Sequence, residues 1–209
     1  MSAVSITSIV KGALTGVVKA QKAYVDWSGG DWLWNAPEYF STVFVAQEIA
    51  QLDGAKYVTV EHGAKAAMKD AGAIGRGRLH HKIRAGGKFD ILLWWADESP
   101  RTPIEVKCQV AGIEKIKADL QRIEKVIHKN KQVSSFQFGM VVFYTSCREG
   151  KGFTAKEILV KRLENINTGS KKAVPNCIVK MTNSKIYIDE DSAWVASTIV
   201  LKPIAAVDG

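Results

Sequence analysis

The chain has 209 residues, 46% of them hydrophobic and 24% charged, which is an ordinary balance for a globular protein. This length suits one well-buried domain and is short for two. A balance of 29 Lys and Arg against 21 Asp and Glu gives a net charge of +8, which favours a polyanionic partner. No run of about 18 apolar residues and no signal-peptide pattern occurs, so we expect no membrane association and a cytoplasmic location.

The first 36 residues predict a helix followed by a tryptophan-rich linker. Residues 5–25 place apolar side chains at helical spacing, which indicates a helix packed on the body of the protein; a helix that binds a membrane surface or a partner is the alternative. Residues 26–35 contain Trp27, Trp32 and Trp34. These rings could form a stacking platform for bases, but we favour the interpretation that they pack the linker against the core.

A second helix is predicted over residues 37–52. Pro37 suits the first turn, Glu38 favours the positive end of the helix dipole, and Gly54 ends the segment. The apolar positions predict which side of this helix is buried: Phe40, Val43, Phe44 and Ile49.

A short strand at residues 56–61 and a small-residue-rich segment at 62–75, consistent with a helix, come next. Residues 76–88 form a loop or hairpin without any acidic residue. Its two adjacent histidines, His80 and His81, would point in opposite directions on an extended chain, so we do not expect them to share a metal. We expect the five cations of this basic segment to contact phosphates, with a solvated loop as the alternative: Arg76, Arg78, Lys82, Arg84 and Lys88.

Two strands, at residues 88–95 and 103–110, follow around a polar turn at 96–102. Because side chains alternate along a strand, Glu105, Lys107 and Gln109 share one face of the second strand. If the two strands pair antiparallel, Asp90 and Glu105 converge on one point and Lys107 lies beside them. Carboxylates next to the apolar run at residues 91–95 are costly to bury, so the arrangement indicates a functional site.

Two carboxylates a few ångströms apart repel each other, and a divalent cation between them relieves that repulsion. Mg²⁺ is commonly held by one or two carboxylates, with water and substrate phosphate in its other positions. Such a metal lowers the pKa of a bound water, and a nearby ammonium stabilises developing negative charge. The alternative to a metal site is a solvated pair of Glu105 and Lys107 on an edge strand, with Asp90 close to a turn.

The remaining segments predict a helix at 113–129, a buried strand at 137–145, a helix at 154–165 and a polar basic loop at 167–176. The order of strand, helix and buried strand is typical of a parallel crossover. Two strands at 178–188, interrupted near Asn183, and at 193–201 then surround an acidic turn. This C-terminal pair could extend the sheet or provide a dimer edge.

The stretch Phe89-Asp90, followed by Glu105-Val106-Lys107, resembles the motif of the PD-(D/E)XK nuclease superfamily. Phe89 stands where that motif has its leading proline. The resemblance implies an α/β restriction-endonuclease-like fold, in which an αβββαβ core forms a central mixed sheet flanked by helices. That core would span about 37–145 of a single domain, with 1–36 as an N-terminal helix and linker and 146–209 as a C-terminal helix and β extension.

The resemblance also implies the site. Asp90 and Glu105 would bind Mg²⁺, for which Mn²⁺ may substitute, aided by the backbone carbonyl of Val106. Lys107 would orient the attacking water or help to deprotonate it. An acidic residue of the first core helix would assist, with Glu38 as the first candidate and Glu48 as the second. Gln109 would contact the substrate or the water network, and the basic segment would hold the substrate backbone.

The resulting expectation is a metal-dependent nuclease that hydrolyses the phosphodiester bonds of DNA, with RNA as an alternative substrate. Such an enzyme would serve phage defence and restriction or DNA recombination and repair, alone, as a homodimer or in a larger complex. Two other hypotheses stay open. One is a catalytically inactive module that keeps the nuclease fold for nucleic-acid binding or assembly, and the other is an α/β protein in which the motif is accidental.

Overall fold

A computed structural model describes residues 3–54, 56–75 and 77–204. Across these residues it contains five helices and seven strands. The helices are α1 (Ile6–Ser28), α2 (Glu38–Ala50), α3 (Ala64–Asp70), α4 (Glu114–His128) and α5 (Ala155–Ala173). The strands are β1 (Lys56–Gly63), β2 (Lys88–Trp95), β3 (Pro100–Lys107), β4 (Gly139–Arg148), β5 (Cys177–Asn183), β6 (Tyr187–Asp189) and β7 (Ser192–Pro203).

The strands form one mixed, open sheet in the order β1-β2-β3-β4-β7-β5, with β6 paired alongside β7. Strands β1, β2 and β3 are antiparallel neighbours. The pairing of β3 with β4 is parallel, and the connection between them runs through α4. Strand β7 pairs antiparallel with β4, β5 and β6. The protein is therefore an α/β protein with a mixed sheet flanked by helices.

Hydrophobic cores lie on both faces of this sheet. On one face α4 and α5 bury Ile116, Leu120 and Leu159 against Phe143 and Val195. On the other face α1 and α2 pack onto β2, β3 and β4 through the following buried residues: Ile9, Val17, Val45, Ile49, Leu93, Val106 and Val142. Because β2, β3 and β4 are covered on both sides, a polar side chain in the middle of these strands, such as Glu105, has lost most of its contact with water.

The first helix packs on the body of the protein, as predicted. Gly16 lies so close to α2 that a Cβ at this position would be 2.6 Å from the Cα of Val45. Trp32 and Trp34 pack against the same core with their rings 5.0 Å apart. Trp27 ends α1 and is 72% exposed. No helix among the described residues is long and apolar enough to cross a membrane.

The predicted buried side of α2 is partly wrong. Val43 is 42% exposed, and Phe40 and Phe44 are only half-buried. The buried side instead consists mainly of smaller residues: Ser41, Thr42, Val45, Ala46 and Ile49. The physical reason is the close approach of α1 at Gly16, which leaves no room between the two helices for large side chains.

Several predicted boundaries also differ. Strand β3 begins at Pro100 and ends at Lys107, three residues earlier at each end than predicted. It begins earlier because Asp97 accepts hydrogen bonds from the N–H and hydroxyl of Ser99, which tightens the turn after β2. The basic loop predicted at 167–176 is wrong, since α5 continues to Ala173. By contrast, the interruption predicted near Asn183 is confirmed, because β5 ends at Asn183 and β6 begins at Tyr187.

Candidate active site

Strands β2 and β3 bring Asp90 and Glu105 together. Ile91 pairs with Ile104 across the two strands, and one further step of the same antiparallel register sets Asp90 opposite Glu105. Asp90 Oδ2 accepts a hydrogen bond of 2.7 Å from the backbone N–H of Val106. The two carboxylates expected from the sequence to converge therefore do so.

Burial changes the protonation of both carboxylates. Burial raises the pKa of Asp90, although the Val106 N–H and the charge of Lys107 oppose this shift. Glu105 is only 3% exposed, and its burial raises its pKa to about 8 despite the opposing charge of Arg122. The charge of Asp90 adds to that rise. A site with two such carboxyl groups gains stability from any cation that they can share.

Lys107 lies beside this pair and reaches across to α2. Its Nζ is 2.6 Å from Glu38 Oε1 and 3.9 Å from Asp119 Oδ2. The other oxygen of Glu38 accepts a hydrogen bond from the backbone N–H of Cys108. Burial lowers the pKa of Lys107, but the hydrogen bond and charge of Glu38 and the charges of Asp119 and Asp90 outweigh it, so the pKa is raised. Lys107 is therefore an ammonium group at neutral pH.

Arg122 of α4 completes the cluster and was not foreseen from the sequence. Its Nη1 donates to Glu105 Oε1 at 2.5 Å and to the carbonyl of Lys88 at 2.8 Å. Its Nε donates to the carbonyl of Ile83, and its guanidinium lies 4.5 Å from the ring centroid of Phe89. The buried Nη2 has no hydrogen-bond partner within the part of the chain that the structure describes. Arg122 thus ties α4 to both strands of the motif.

Asp119 also belongs to the cluster and also went unnoticed. It is one helical turn before Arg122, its side chain is 7% exposed, and it pairs with Arg84 at 2.5 Å. The available signal was the spacing, since a carboxylate and a guanidinium three residues apart border the apolar stripe of α4 at Ile116, Leu120 and Ile123. Charged residues next to a buried stripe indicate a polar partner on the opposing surface.

The basic segment surrounds one side of this site, and several of its cations already have protein partners. Lys82 donates to Gln121, Arg84 pairs with Asp119, and Lys88 lies 3.5 Å from Glu61. Arg78 is exposed, and Arg76 lies outside the described residues. The predicted phosphate contacts of this segment stay a prediction.

The expectations for Gln109 and for the histidine pair are wrong, whereas Glu38 remains the first acidic candidate on α2. Gln109 does not share a face of β3 with Lys107, because the strand ends at Lys107 and the backbone at Gln109 has a φ of +52°. Its side chain instead accepts a hydrogen bond from the hydroxyl of Ser146. Glu48 pairs with Lys19 on α1, so Glu38 is the acidic residue of α2 at the site. The rings of His80 and His81 do not point apart: they stack with centroids 4.4 Å apart, because the chain turns here rather than extending.

The donor atoms at the site suit a hard divalent cation. Asp90, Glu105 and the carbonyl of Val106 supply only oxygen, which Mg²⁺ prefers, and two carboxylates are within the usual number. Their raised pKa values are the expected consequence of burying carboxylates that no cation fully neutralises. No group of three or more His, Cys, Asp or Glu side chains is arranged to hold a metal ion in the ranges 3–54, 56–75 and 77–204. A metal would therefore depend on water or substrate oxygens for its other positions.

The fold and the site together define an α/β protein with a buried cluster of carboxylates and cations on two adjacent strands. Comparisons with protein families, curated proteins and solved structures found no match to this chain. The function has to be inferred from the chemistry of the cluster.

Proposed function

We propose that the protein is a metal-dependent nuclease of the PD-(D/E)XK type that hydrolyses phosphodiester bonds of DNA. The observation that carries this proposal is the convergence of Asp90, Glu105 and Lys107 from two adjacent strands, with Glu38 of α2 bound to the lysine. The order α2, β1, β2, β3, α4, β4, with the short α3 inserted after β1, also supports a restriction-endonuclease-like αβββαβ core.

Asp90, Glu105 and the Val106 carbonyl would hold Mg²⁺ or Mn²⁺ in this proposal. The metal would lower the pKa of a bound water and neutralise charge on the phosphate. The protein itself positions these ligands: the Val106 N–H fixes one oxygen of Asp90, and Arg122 fixes one oxygen of Glu105. In each carboxylate we assign the other oxygen to the metal.

Lys107 acts as a donor rather than a base. Because its pKa is raised, it keeps its proton at neutral pH and can orient the attacking water or stabilise negative charge at the phosphorus. Glu38 holds its Nζ at 2.6 Å and so acts as a positioning residue. The sequence left two roles for Lys107 open, to orient the attacking water or to deprotonate it. The charges around Lys107 favour the first role.

DNA is the proposed substrate class because the net charge is +8 and a basic segment adjoins the cluster. The pathway we propose is phage defence and restriction or DNA recombination and repair.

A second candidate function rests on the ion pairs that the charged residues of the cluster form with one another. Arg122 already neutralises Glu105, and Glu38 already neutralises Lys107, as in a purely structural network. In this alternative the protein is a catalytically inactive module that binds nucleic acid or assembles with partners. It would bind DNA with strong salt dependence, and metal would not change the affinity.

A cleavage assay tests the first candidate against the second. Supercoiled, linear, single-stranded and branched DNA, and RNA, are each incubated with Mg²⁺, Mn²⁺ or EDTA. We expect metal-dependent cutting by the wild type that is lost in Glu105→Gln and in Lys107→Met. Lys117→Met is the matched control, since Lys117 is 46% exposed on α4 and its ion pair with Glu114 lies at the surface. Undiminished cutting by both site variants would refute the assignment, and salt-sensitive binding without cutting would favour the inactive module.

A further inference from the structure

A cavity of about 810 Å³ lies between α5 and the segment that follows β3. Its walls include Ala111, Gly112 and Ile113 from that segment and Ile158 and Asn165 from α5. This volume falls within the range of pockets that hold small organic groups. None of these residues takes part in the carboxylate cluster described above.

The cavity is physically connected to the candidate active site. Ala111 follows Lys107 by four residues, so the two Cα atoms are at most about 14 Å apart. Gln109 accepts a hydrogen bond from the hydroxyl of Ser146, whose carbonyl accepts one of 2.6 Å from Arg162 Nη1 on the cavity wall. A group bound in the cavity would therefore lie within a few nucleotides of a phosphate held at the cluster.

Phe153 is the aromatic residue that lines this cavity. Two hydrogen bonds of 3.1 Å between Gly150 and Phe153 close a tight turn, in which Lys151 and Gly152 both have positive φ. The backbone of Phe153 is thus well fixed, yet its side chain is 60% exposed. A large aromatic residue held at the edge of a cavity offers a stacking surface at little entropic cost.

The polar groups of the cavity are mainly cationic. Glu157 is already used, because its carboxylate accepts hydrogen bonds from the N–H and hydroxyl of Thr154. Among the described residues, the ion pair that Lys161 makes is a distant one, with its Nζ 3.8 Å from the exposed Glu164. The amide of Asn165 can both donate and accept hydrogen bonds, which matches the edge of a nucleobase. The walls therefore suit a flat, polar-edged group attached to an anion.

We propose that this cavity binds an unstacked nucleobase of the substrate strand, stacked on Phe153 with its phosphate near Lys161 and Arg162. The inference rests on the nuclease proposed above and specifies its substrate as nucleic acid with unpaired bases beside the cleaved bond. A fully paired duplex would keep its bases stacked and leave the cavity empty.

Binding of labelled oligonucleotides in EDTA tests this inference without cleavage. The probes are a short fluorescein-labelled single strand and the blunt duplex of the same sequence, measured by fluorescence anisotropy. For Phe153→Ala we expect roughly tenfold weaker single-strand binding and an unchanged affinity for the duplex. Phe153→Trp should keep the wild-type affinity, and Ala111→Trp should block the cavity and reproduce the loss.

Ile178→Ala is the matched control, because Ile178 is 58% exposed and lies outside the cavity wall. The inference is overturned if Phe153→Ala binds the single strand as the wild type does, or if it loses both probes equally. It is also overturned if Phe153→Ala instead dissociates a dimer in sedimentation, which would make the cavity an interface between copies of the chain. In each case Lys107→Met still decides the nuclease proposal, because that variant leaves the cavity intact.

Discussion

Arg122 is the residue whose replacement tests the energetics of the site most directly. In Arg122→Met the carboxylate of Glu105 loses its cation, and the carbonyls of Ile83 and Lys88 lose their donor. Both charged side chains of the ion pair are 4% exposed, so water cannot replace the lost partner without opening the core. Methionine keeps an unbranched apolar side chain but removes the guanidinium that lies over the ring of Phe89.

The expected cost depends on pH because Glu105 titrates near neutrality. The two lost hydrogen bonds to carbonyls contribute about 1 kcal/mol each, so we expect a loss of about 2 kcal/mol when Glu105 is protonated. Above about pH 8 the wild type releases this proton, whereas the variant, in which the pKa of Glu105 is higher still, keeps it. Each pH unit above that value adds about 1.4 kcal/mol, so at about pH 9 the loss approaches 3–4 kcal/mol. This upper value agrees with the 3–5 kcal/mol typical of breaking a buried pair.

The raised pKa of Glu105 also determines the direction in which the free energy of unfolding of the wild type changes with pH. Folded Glu105 binds its proton more tightly than an unfolded glutamate with a pKa of about 4.3, so the free energy of unfolding falls as the pH rises from about 4 to about 8. Removing Arg122 raises the pKa further and extends that fall to higher pH. In a Glu105→Gln background the cost of Arg122→Met should therefore no longer depend on pH.

Urea denaturation followed by tryptophan fluorescence at about pH 6, 7.5 and 9 measures these free energies. The four proteins of the double-mutant cycle are compared at each pH. Lys117→Met is the control, and we expect it to cost less than about 0.5 kcal/mol because its ion pair is exposed. A cost for Arg122→Met that is the same at every pH, or equal in the Glu105→Gln background, would refute the proposed ion pair.

Three further predictions follow from the structure. Mg²⁺ affinity measured by calorimetry should rise with pH up to about 8, by at most about tenfold per unit, because the proton of Glu105 must leave before metal binds; an affinity independent of pH would contradict this. Thr154→Ala should lower the free energy of unfolding by about 1 kcal/mol by breaking the capping box of α5. The hydrogen bonds from Thr154 lower the pKa of Glu157, so the carboxylate side of this capping box stabilises the fold at neutral pH and is lost as the pH falls through that lowered pKa. Gly16→Ala should cost about 1–3 kcal/mol in urea denaturation because its Cβ would overlap the main chain of α2. Gly12→Ala is its control, since the new Cβ would only reach ordinary contact at 3.4 Å with a flexible leucine; equal effects of the two substitutions would contradict the close packing.

Local patterns predicted the strands and helices that have strong signals of their own. The range predicted for β2, residues 88–95, agrees with Lys88–Trp95, and the start of α2 at Glu38 follows from the proline before it. The loop predicted at 167–176 failed because Gly169 and Ser170 have weak helix propensity. They are helical because Gly169 packs against Ile113 and Ser170 bonds to the carbonyl of Ile166, and such tertiary contacts cannot be derived from a single segment.

In the candidate site, too, some contacts follow from local sequence patterns and others depend on tertiary packing. Alternation along two strands joined by a short turn is enough to bring Asp90 and Glu105 together. Arg122 and Asp119 reach the cluster only because α4 crosses over the sheet at a particular rotation, which depends on how its apolar stripe packs. Sequence periodicity predicts that stripe but not the side chains that border it.

The position of β7 in the sheet has a consequence for how the protein is made. This strand follows every other strand in the chain, yet it lies between β4 and β5 and pairs with β4 over ten residues. During synthesis, β4 therefore emerges with one edge unpaired, and that edge stays open until residues 192–203 leave the ribosome. A nascent chain in this state exposes an apolar strand edge that can pair with another chain. We therefore expect cells to need a chaperone, or slow dilute expression, to obtain this protein in its native form.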